Sequence, residues 1–77
     1  MELKQAIGDT IHRLRMERKI TMRKMAPYIS LGHLCEVEKG RNEISSVLLE
    51  VVAEGLNLST AELLKEIYEY LEENNGR

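Results

Sequence analysis

The chain contains neither tryptophan nor phenylalanine, and it has a single proline and a single cysteine. Without those two large aromatics, the core has to be built from isoleucine, leucine, valine and methionine. The scarcity of proline and the low number of glycines, five, favour helices. One cysteine excludes an intramolecular disulfide framework and fits a reducing compartment. These shortages favour a small helical protein.

Long apolar runs are also missing. No run approaches the roughly 18 residues of a membrane span, and the sequence shows no signal peptide. We therefore expect a cytoplasmic protein without a membrane partner. Its 77 residues are expected to form one domain, 1–77. A chain of this size buries only about 60–65% of its unfolded surface, so a small core and modest stability are expected.

The formal net charge of −2 hides an asymmetry. Residues 1–41 contain nine Lys/Arg and five Asp/Glu, a net of +4, whereas residues 42–77 contain two and eight, a net of −6. A basic first half is compatible with nucleic-acid binding despite the acidic pI. Helical proteins also segregate charge by chance, so charge alone leaves the function open.

The spacing of apolar residues predicts an all-α fold of five helices. The first covers about 3–18, the fourth about 46–56, and the fifth ends near Glu73, with a frayed end from Asn74 to Arg77. The predicted core consists of apolar residues that share helical periodicity: Ile7, Ile11, Leu14, Met25, Leu34, Val37, Leu48, Leu49, Val52, Leu56 and Leu63.

Capping residues mark the ends of the shorter helices. Thr21 is a predicted N-cap for helix 2. Pro27 either keeps this helix short or lies in its final turn and distorts it. Ser30 is a predicted N-cap for helix 3, and Gly40 is its predicted left-handed C′ residue.

Two further caps are predicted. Ser45 or Ser46 begins helix 4, and Ser59 with Glu62 forms a capping box for helix 5.

No catalytic constellation is visible. His12 and His33 lie in separate helices, and Cys35 is the only thiol, whereas a zinc site usually needs four well-spaced ligands. We expect His12 on the surface and Cys35 as a small packed residue. There is no phosphate-binding glycine loop, serine elbow or paired-carboxylate pattern. We therefore expect no enzyme activity, no catalytic residue, no metal and no cofactor.

The ordered set of motifs resembles the lambda-repressor-like helix-turn-helix domain (Cro/CI type, XRE family). The resemblance covers about 7–64, and the run from Ser30 through Ser46 looks especially like actinobacterial regulators of Clp protease genes. It rests on Ile7-Gly8 with Ile11, Leu14 and Arg15, then Ile20-Thr21, Glu36-Val37-Glu38-Lys39-Gly40-Arg41, Ser45-Ser46 with Leu48-Leu49, and Leu56-Asn57-Leu58-Ser59.

The resemblance implies a sequence-specific transcriptional regulator that binds double-stranded DNA on the nucleoid. Arg23 and Lys24, near the start of helix 2, would approach phosphates, helped by the positive end of that helix. Lys39, Arg41 and Asn42 would hold the DNA backbone just after helix 3.

By the same resemblance, the beginning of helix 3 reads the bases in the major groove. Ser30, Leu31, Gly32, His33 and Glu36 lie where family members present their recognition helix. His33 would contact a base edge, and Leu31 would contact a thymine methyl group.

The chain departs from the family pattern in one place. Between Met25 and Ser30 it is about two residues shorter than usual, a loss that we expect the turn around Pro27 to absorb. The predicted reading face is also poor in Arg, Gln and Asn, the side chains that read bases best. These departures leave a second function open, a protein-interaction module that binds or modulates another regulator.

The fifth helix continues beyond the family core, over 65–74. Leu64, Ile67, Tyr68 and Leu71 lie on one of its faces at spacings of three and four. This face either folds back on helix 1 or forms a dimer interface, and we predict a homodimer built on these four residues.

Overall fold

The computed structural model describes residues 1–75, and these fold into five α-helices with no strand. The helices are α1 (Leu3–Glu17), α2 (Met22–Met25), α3 (Leu31–Glu38), α4 (Ser46–Gly55) and α5 (Thr60–Asn75). The predicted all-α, five-helix class is confirmed. Helix α1 packs against α3 and α5, α2 packs against α3 and α4, and α4 packs against α5. Within 1–75, no helix is long and apolar enough to cross a membrane.

Side-chain caps begin the last four helices, as the sequence predicts. The hydroxyl oxygens of Thr21, Ser30 and Ser45 each accept the backbone N–H three residues on, at 3.2, 3.3 and 3.1 Å. Ser45, and not Ser46, is thus the N-cap of α4. Ser59 and Glu62 satisfy each other's backbone donors at 2.8 and 3.1 Å. Each helix therefore begins where a local hydrogen bond replaces the missing intrahelical one.

Three helices are followed by a residue whose backbone has the left-handed conformation. Gly40 has a φ of 73° after α3, as predicted, and Lys19 and Asn57 have φ of 57° and 61° after α1 and α4. In each case this residue and the next one donate their backbone N–H groups to carbonyls of the last turn. The three ends are thus Schellman motifs, one with glycine and two with a side chain that tolerates the conformation less well.

The predicted core is confirmed at nine of its eleven positions, while Ile7 and Leu48 are partly buried at its edge. Ile7 lies at the edge of the core because the buried face of α1 includes Ala6, Thr10 and Leu14, which follow one another at intervals of four residues. The sequence analysis did not place four further buried apolar residues in the core: Ala6, Ile29, Ala53 and Ile67.

The predicted dimer stripe on α5 is wrong at Ile67. This side chain is 1% exposed and belongs to the core of its own chain, so it has no surface to offer a second copy. Its burial follows from the packing of α5 against α1. Leu64 and Leu71 are half-buried against the same core, and Tyr68 is 52% exposed. Ile67 therefore belongs to the fold of its own chain and not to a dimer interface.

Polar contacts also tie α5 to α1. Arg13 pairs with Glu66 at 2.7 Å, and this hydrogen bond raises the pKa of Arg13. The Tyr70 hydroxyl donates to Asp9 at 2.8 Å, and this bond raises the pKa of Tyr70. Both pairs are partly exposed, so each contributes little to stability. Their role is to fix how α5 is aligned along α1.

The helix also extends further than the sequence predicts. Asn74 and Asn75 are helical rather than frayed, and the Asn75 side chain bonds to both backbone groups of Met1. This contact holds the last described turn of α5 against the start of the chain. Gly76 and Arg77, the rest of the predicted frayed end, lie outside the described residues.

Candidate nucleic-acid interface

Helices α2 and α3 are joined by a tight turn and pack against each other. Helix α2 ends at Met25, two residues before Pro27, so the short helix is the alternative that the structure shows. The Met25 carbonyl accepts from the N–H groups of Tyr28 and Ile29 at 2.9 and 3.0 Å, and Ile29 is buried in the core. The connection forms a closed turn anchored by Ile29, and the two helices are in contact.

The ten residues predicted to contact DNA lie on α2, on α3, at the N-cap of α3 or in the loop directly after α3. Eight of them are exposed, and two, His33 and Glu36, are half-buried. The exposed ones are Arg23, Lys24, Ser30, Leu31, Gly32, Lys39, Arg41 and Asn42.

The outer face of α3 is free of packing partners from the core. At 100° per residue, Gly32, Glu36 and Lys39 lie opposite the buried side chains of Leu34 and Val37. Ser30 caps the N–H of His33, while the first N–H groups of the helix have no intrahelical partner. This face and its positive N-terminal end are thus available to a negatively charged ligand.

Basic side chains lie on α2 and directly after the last residue of α3. Within residues 1–75, Arg23, Lys24 and Lys39 form no ion pair. Arg41 pairs with Glu36, but at 3.7 Å and with both side chains well exposed. Such a pair contributes little and exchanges readily for a phosphate. The cations therefore remain free for an external anion.

The sequence analysis did not predict the ion-pair network that fixes α3 to α1. Arg15 is 7% exposed and donates to both carboxylate oxygens of Glu38, at 2.8 and 3.0 Å. Its third bond, at 3.0 Å, goes to the carbonyl of Ile20 just before α2. His12, exposed as expected, bonds to Glu38 at 2.9 Å. One arginine thus sets the position of α3 relative to α1 and to the chain entering α2.

A weak signal for this network is present in the sequence. Arg15 follows Ile11 by four residues, and Glu38 follows Leu34 by four, so each charge lies on the buried stripe of its helix. In the sequence analysis, Arg15 was used only as part of the motif with Ile7-Gly8, Ile11 and Leu14. Opposite charges on two inward-facing stripes indicate a buried pair, because a lone buried charge is very unfavourable.

Two opposing effects act on the Glu38 carboxyl. Burial raises its pKa and is the largest single effect, but the hydrogen bonds from Arg15 and His12 together outweigh it. The net pKa of Glu38 lies below the ordinary value for glutamate. Its hydrogen bond in turn raises the pKa of Arg15. The pair is therefore charged at neutral pH.

Close backbone contact between α1 and α3 accompanies this network. A Cβ placed on Gly8 would lie 2.2 Å from the carbonyl oxygen of Val37 and 3.0 Å from that of Glu38. Real side chains do not approach a backbone oxygen so closely. Gly8 thus allows the last turn of α3 to lie directly on α1.

The described residues contain no group of three or more histidine, cysteine, aspartate or glutamate side chains arranged to hold a metal ion. Cys35 is half-buried in a cleft between α1 and α3.

Two short helices that pack against each other across a tight turn, the second of them capped and exposed on its outer face, define a helix-turn-helix domain. Comparison with known proteins narrows this class. The chain is 34% identical over 64 residues to the transcriptional regulator ClgR of Mycobacterium tuberculosis, in two strains. The match covers 80% of this chain and 57% of the relative, so the chain spans little more than half the length of these curated proteins.

Two crystal structures of the clp gene regulator ClgR from Corynebacterium glutamicum are similar along most of their length. One is 35% identical with a TM-score of 0.81, covering 90% of this chain and 92% of that one. The other is 32% identical with a TM-score of 0.89, covering 99% and 83%. No family model matches the chain. The chain belongs to the ClgR family of helix-turn-helix regulators, in agreement with the predicted resemblance.

Proposed function

We propose that this protein is a transcriptional regulator that binds double-stranded DNA with α3 in the major groove. The observation that carries the proposal is the exposed outer face of α3, together with three exposed cations on α2 and at the end of α3. These cations, Arg23, Lys24 and Lys39, pair with no carboxylate within 1–75. Unpaired cations suit the phosphates that border a groove. The relatives named as ClgR supply independent support.

Side-chain chemistry gives the residues of the proposed interface different roles. Arg23, Lys24, Lys39 and Arg41 would contact phosphates, which fixes orientation without reading sequence. Leu31, which is 42% exposed, would contact a thymine methyl group, and the remaining reading groups lie further along the outer face of α3. Because the relatives are named as clp gene regulators, we propose promoters of such genes as the first DNA to test.

Selection from a random duplex pool tests this proposal. At moderate salt, rounds of binding should enrich a defined sequence. Arg41→Ala should then weaken binding to all sequences alike, whereas His33→Ala should change the ranking among them. A pool that stays random under low-salt conditions would rule out sequence-specific recognition.

A homodimer is the second part of the proposal. A single recognition helix with few base-reading side chains binds weakly, and two copies double the contacts. With Ile67 buried, the surface that remains is the exposed Tyr68 with the half-buried Leu64 and Leu71 at its border. A two-fold contact there would place two recognition helices on a near-palindromic operator with half-sites about 34–36 Å apart.

The alternative of a protein-interaction module predicts a flat apolar patch around α3. Within 23–42 the large apolar side chains that are exposed are Tyr28 and Leu31, and most of the other exposed residues in this range are charged or polar. The mixture favours DNA over an apolar protein surface. Binding to DNA would place the protein on the nucleoid.

A further inference from the structure

At three glycines of the described chain, the fold itself explains why a side chain is absent. Gly8 allows α3 to contact α1, and Gly40 adopts the left-handed conformation that ends α3. A Cβ on Gly55 would lie 2.9 Å from the end of the Met25 side chain. In each case, packing or backbone conformation explains the absence of a side chain.

The fold offers no such explanation for the absence of a side chain at Gly32. It lies in the first turn of α3, at the second helical position, and its φ is not in the left-handed region. A Cβ built on it meets no atom within 4 Å in the described chain. Glycine is a poorer helix former than alanine because it loses more backbone freedom on folding. The fold by itself would therefore favour alanine at this position.

We infer that Gly32 is the point where the backbone of α3 lies directly against DNA, and that its missing side chain is what permits the contact. This inference rests on the proposed function. Gly32 lies on the outer face with Glu36 and Lys39, opposite the buried stripe. Its N–H belongs to the unpaired first turn and points along the positive end of the helix.

Close approach would bring that N–H within hydrogen-bond distance of an acceptor on DNA. An added methyl group would hold the two surfaces apart and weaken the neighbouring contacts of Leu31 and His33 as well. Gly32 thus acts through contact geometry, whereas its neighbours act through their side chains. A gain in stability that brings a loss in binding is the signature of such a position.

Gly32→Ala separates the two effects. We expect its Tm to rise by about 3 °C, because alanine favours the helix. Its affinity for the selected duplex should fall about tenfold, because a methyl group is forced into a packed contact. Thermal unfolding by circular dichroism and fluorescence anisotropy with labelled duplex provide the two readouts.

Ala61→Gly is the matched control. Ala61 is exposed at the second helical position of α5, the same position that Gly32 has in α3. Its Tm should fall by a similar amount while its affinity for DNA stays unchanged.

Equal affinity of Gly32→Ala and the original protein for DNA would overturn the inference and leave the proposed function standing. A variant that loses self-association in sedimentation but keeps its DNA affinity would assign the close contact to a second copy and overturn it too. Failure of the unsubstituted protein to bind any duplex would overturn the proposed function itself, and the inference with it.

Discussion

Glu38 accepts hydrogen bonds from two α1 side chains, Arg15 and His12, and its own side chain is 6% exposed. Replacing it by the near-isosteric glutamine removes the charge and keeps the shape. Arg15 would then be a buried cation without a counter-ion, and breaking such a pair from one side costs about 3 kcal/mol or more. We expect Glu38→Gln to lower the free energy of unfolding by this amount in urea titrations.

A double variant distinguishes charge from packing. Arg15→Met with Glu38→Leu replaces the whole pair by apolar groups, which is often neutral or stabilising. Its stability should therefore exceed that of Glu38→Gln. If both variants unfold at the same urea concentration, the loss of stability in Glu38→Gln comes from altered packing and not from an unpaired charge.

The same carboxyl predicts sensitivity to acid. Because the folded pKa of Glu38 lies below its ordinary value of 4.5, its contribution to stability is fully present above that value. The contribution is lost as the pH falls through the lower, folded value. Tm should therefore decline below about pH 4.5.

Glu38→Gln provides the comparison for this prediction. Its Tm should decline less steeply over the same acidic range, because the titrating group is gone. An equally steep decline in the variant would assign the acid sensitivity to other carboxylates, such as Glu62, whose pKa is lowered by its bonds to Ser59.

At the scale of helices, the contact between α1 and α3 depends on Gly8. A Cβ there would lie 2.2 Å from the Val37 carbonyl, so Gly8→Ala has to push the two helices apart. We expect a loss of about 1–3 kcal/mol in the free energy of unfolding. DNA affinity should fall as well, because α3 loses its support. Gly32→Ala, the same substitution without a clash, is the control and should not destabilise.

The helix ends were predictable from the sequence, whereas the contacts between helices were not. Ser30 and Gly40 act on residues three to five positions away, so their effect can be recognised from the sequence itself. Arg15 and Glu38 are 23 positions apart, and their pairing depends on how α3 lies on α1. The burial of Ile67 likewise depends on the direction in which α5 packs, and the apolar periodicity fits a core or a dimer equally well.

The predicted DNA interface shows the same division. Its ten residues were assigned by resemblance, and eight of them are exposed. The packing of α2 on α3 depends on the closed turn at Met25 and on the buried Ile29, which are properties of three-dimensional packing.

At the scale of the whole molecule, the prediction concerns the formation of a homodimer. Tyr68 is exposed on α5, so Tyr68→Glu should leave the fold intact while it prevents a two-fold contact there. Sedimentation should show dimers for the original chain at tens of micromolar and monomers for the variant. Glu69→Gln, a neighbouring exposed substitution without added charge, is the control and should remain dimeric. Identical sedimentation of all three proteins would exclude this surface as the interface.

The salt dependence of DNA binding tests the central proposal most directly. If Arg23, Lys24, Lys39 and Arg41 each neutralise one phosphate, the logarithm of the binding constant should fall with the logarithm of salt concentration with a slope of about −3.6 per protomer. Arg23→Ala with Lys24→Ala should reduce the magnitude of that slope by about 1.8. Lys65→Ala, which removes an exposed cation from α5, should leave it unchanged. A slope near zero, or an equal change from Lys65→Ala, would contradict DNA binding by the α2–α3 face.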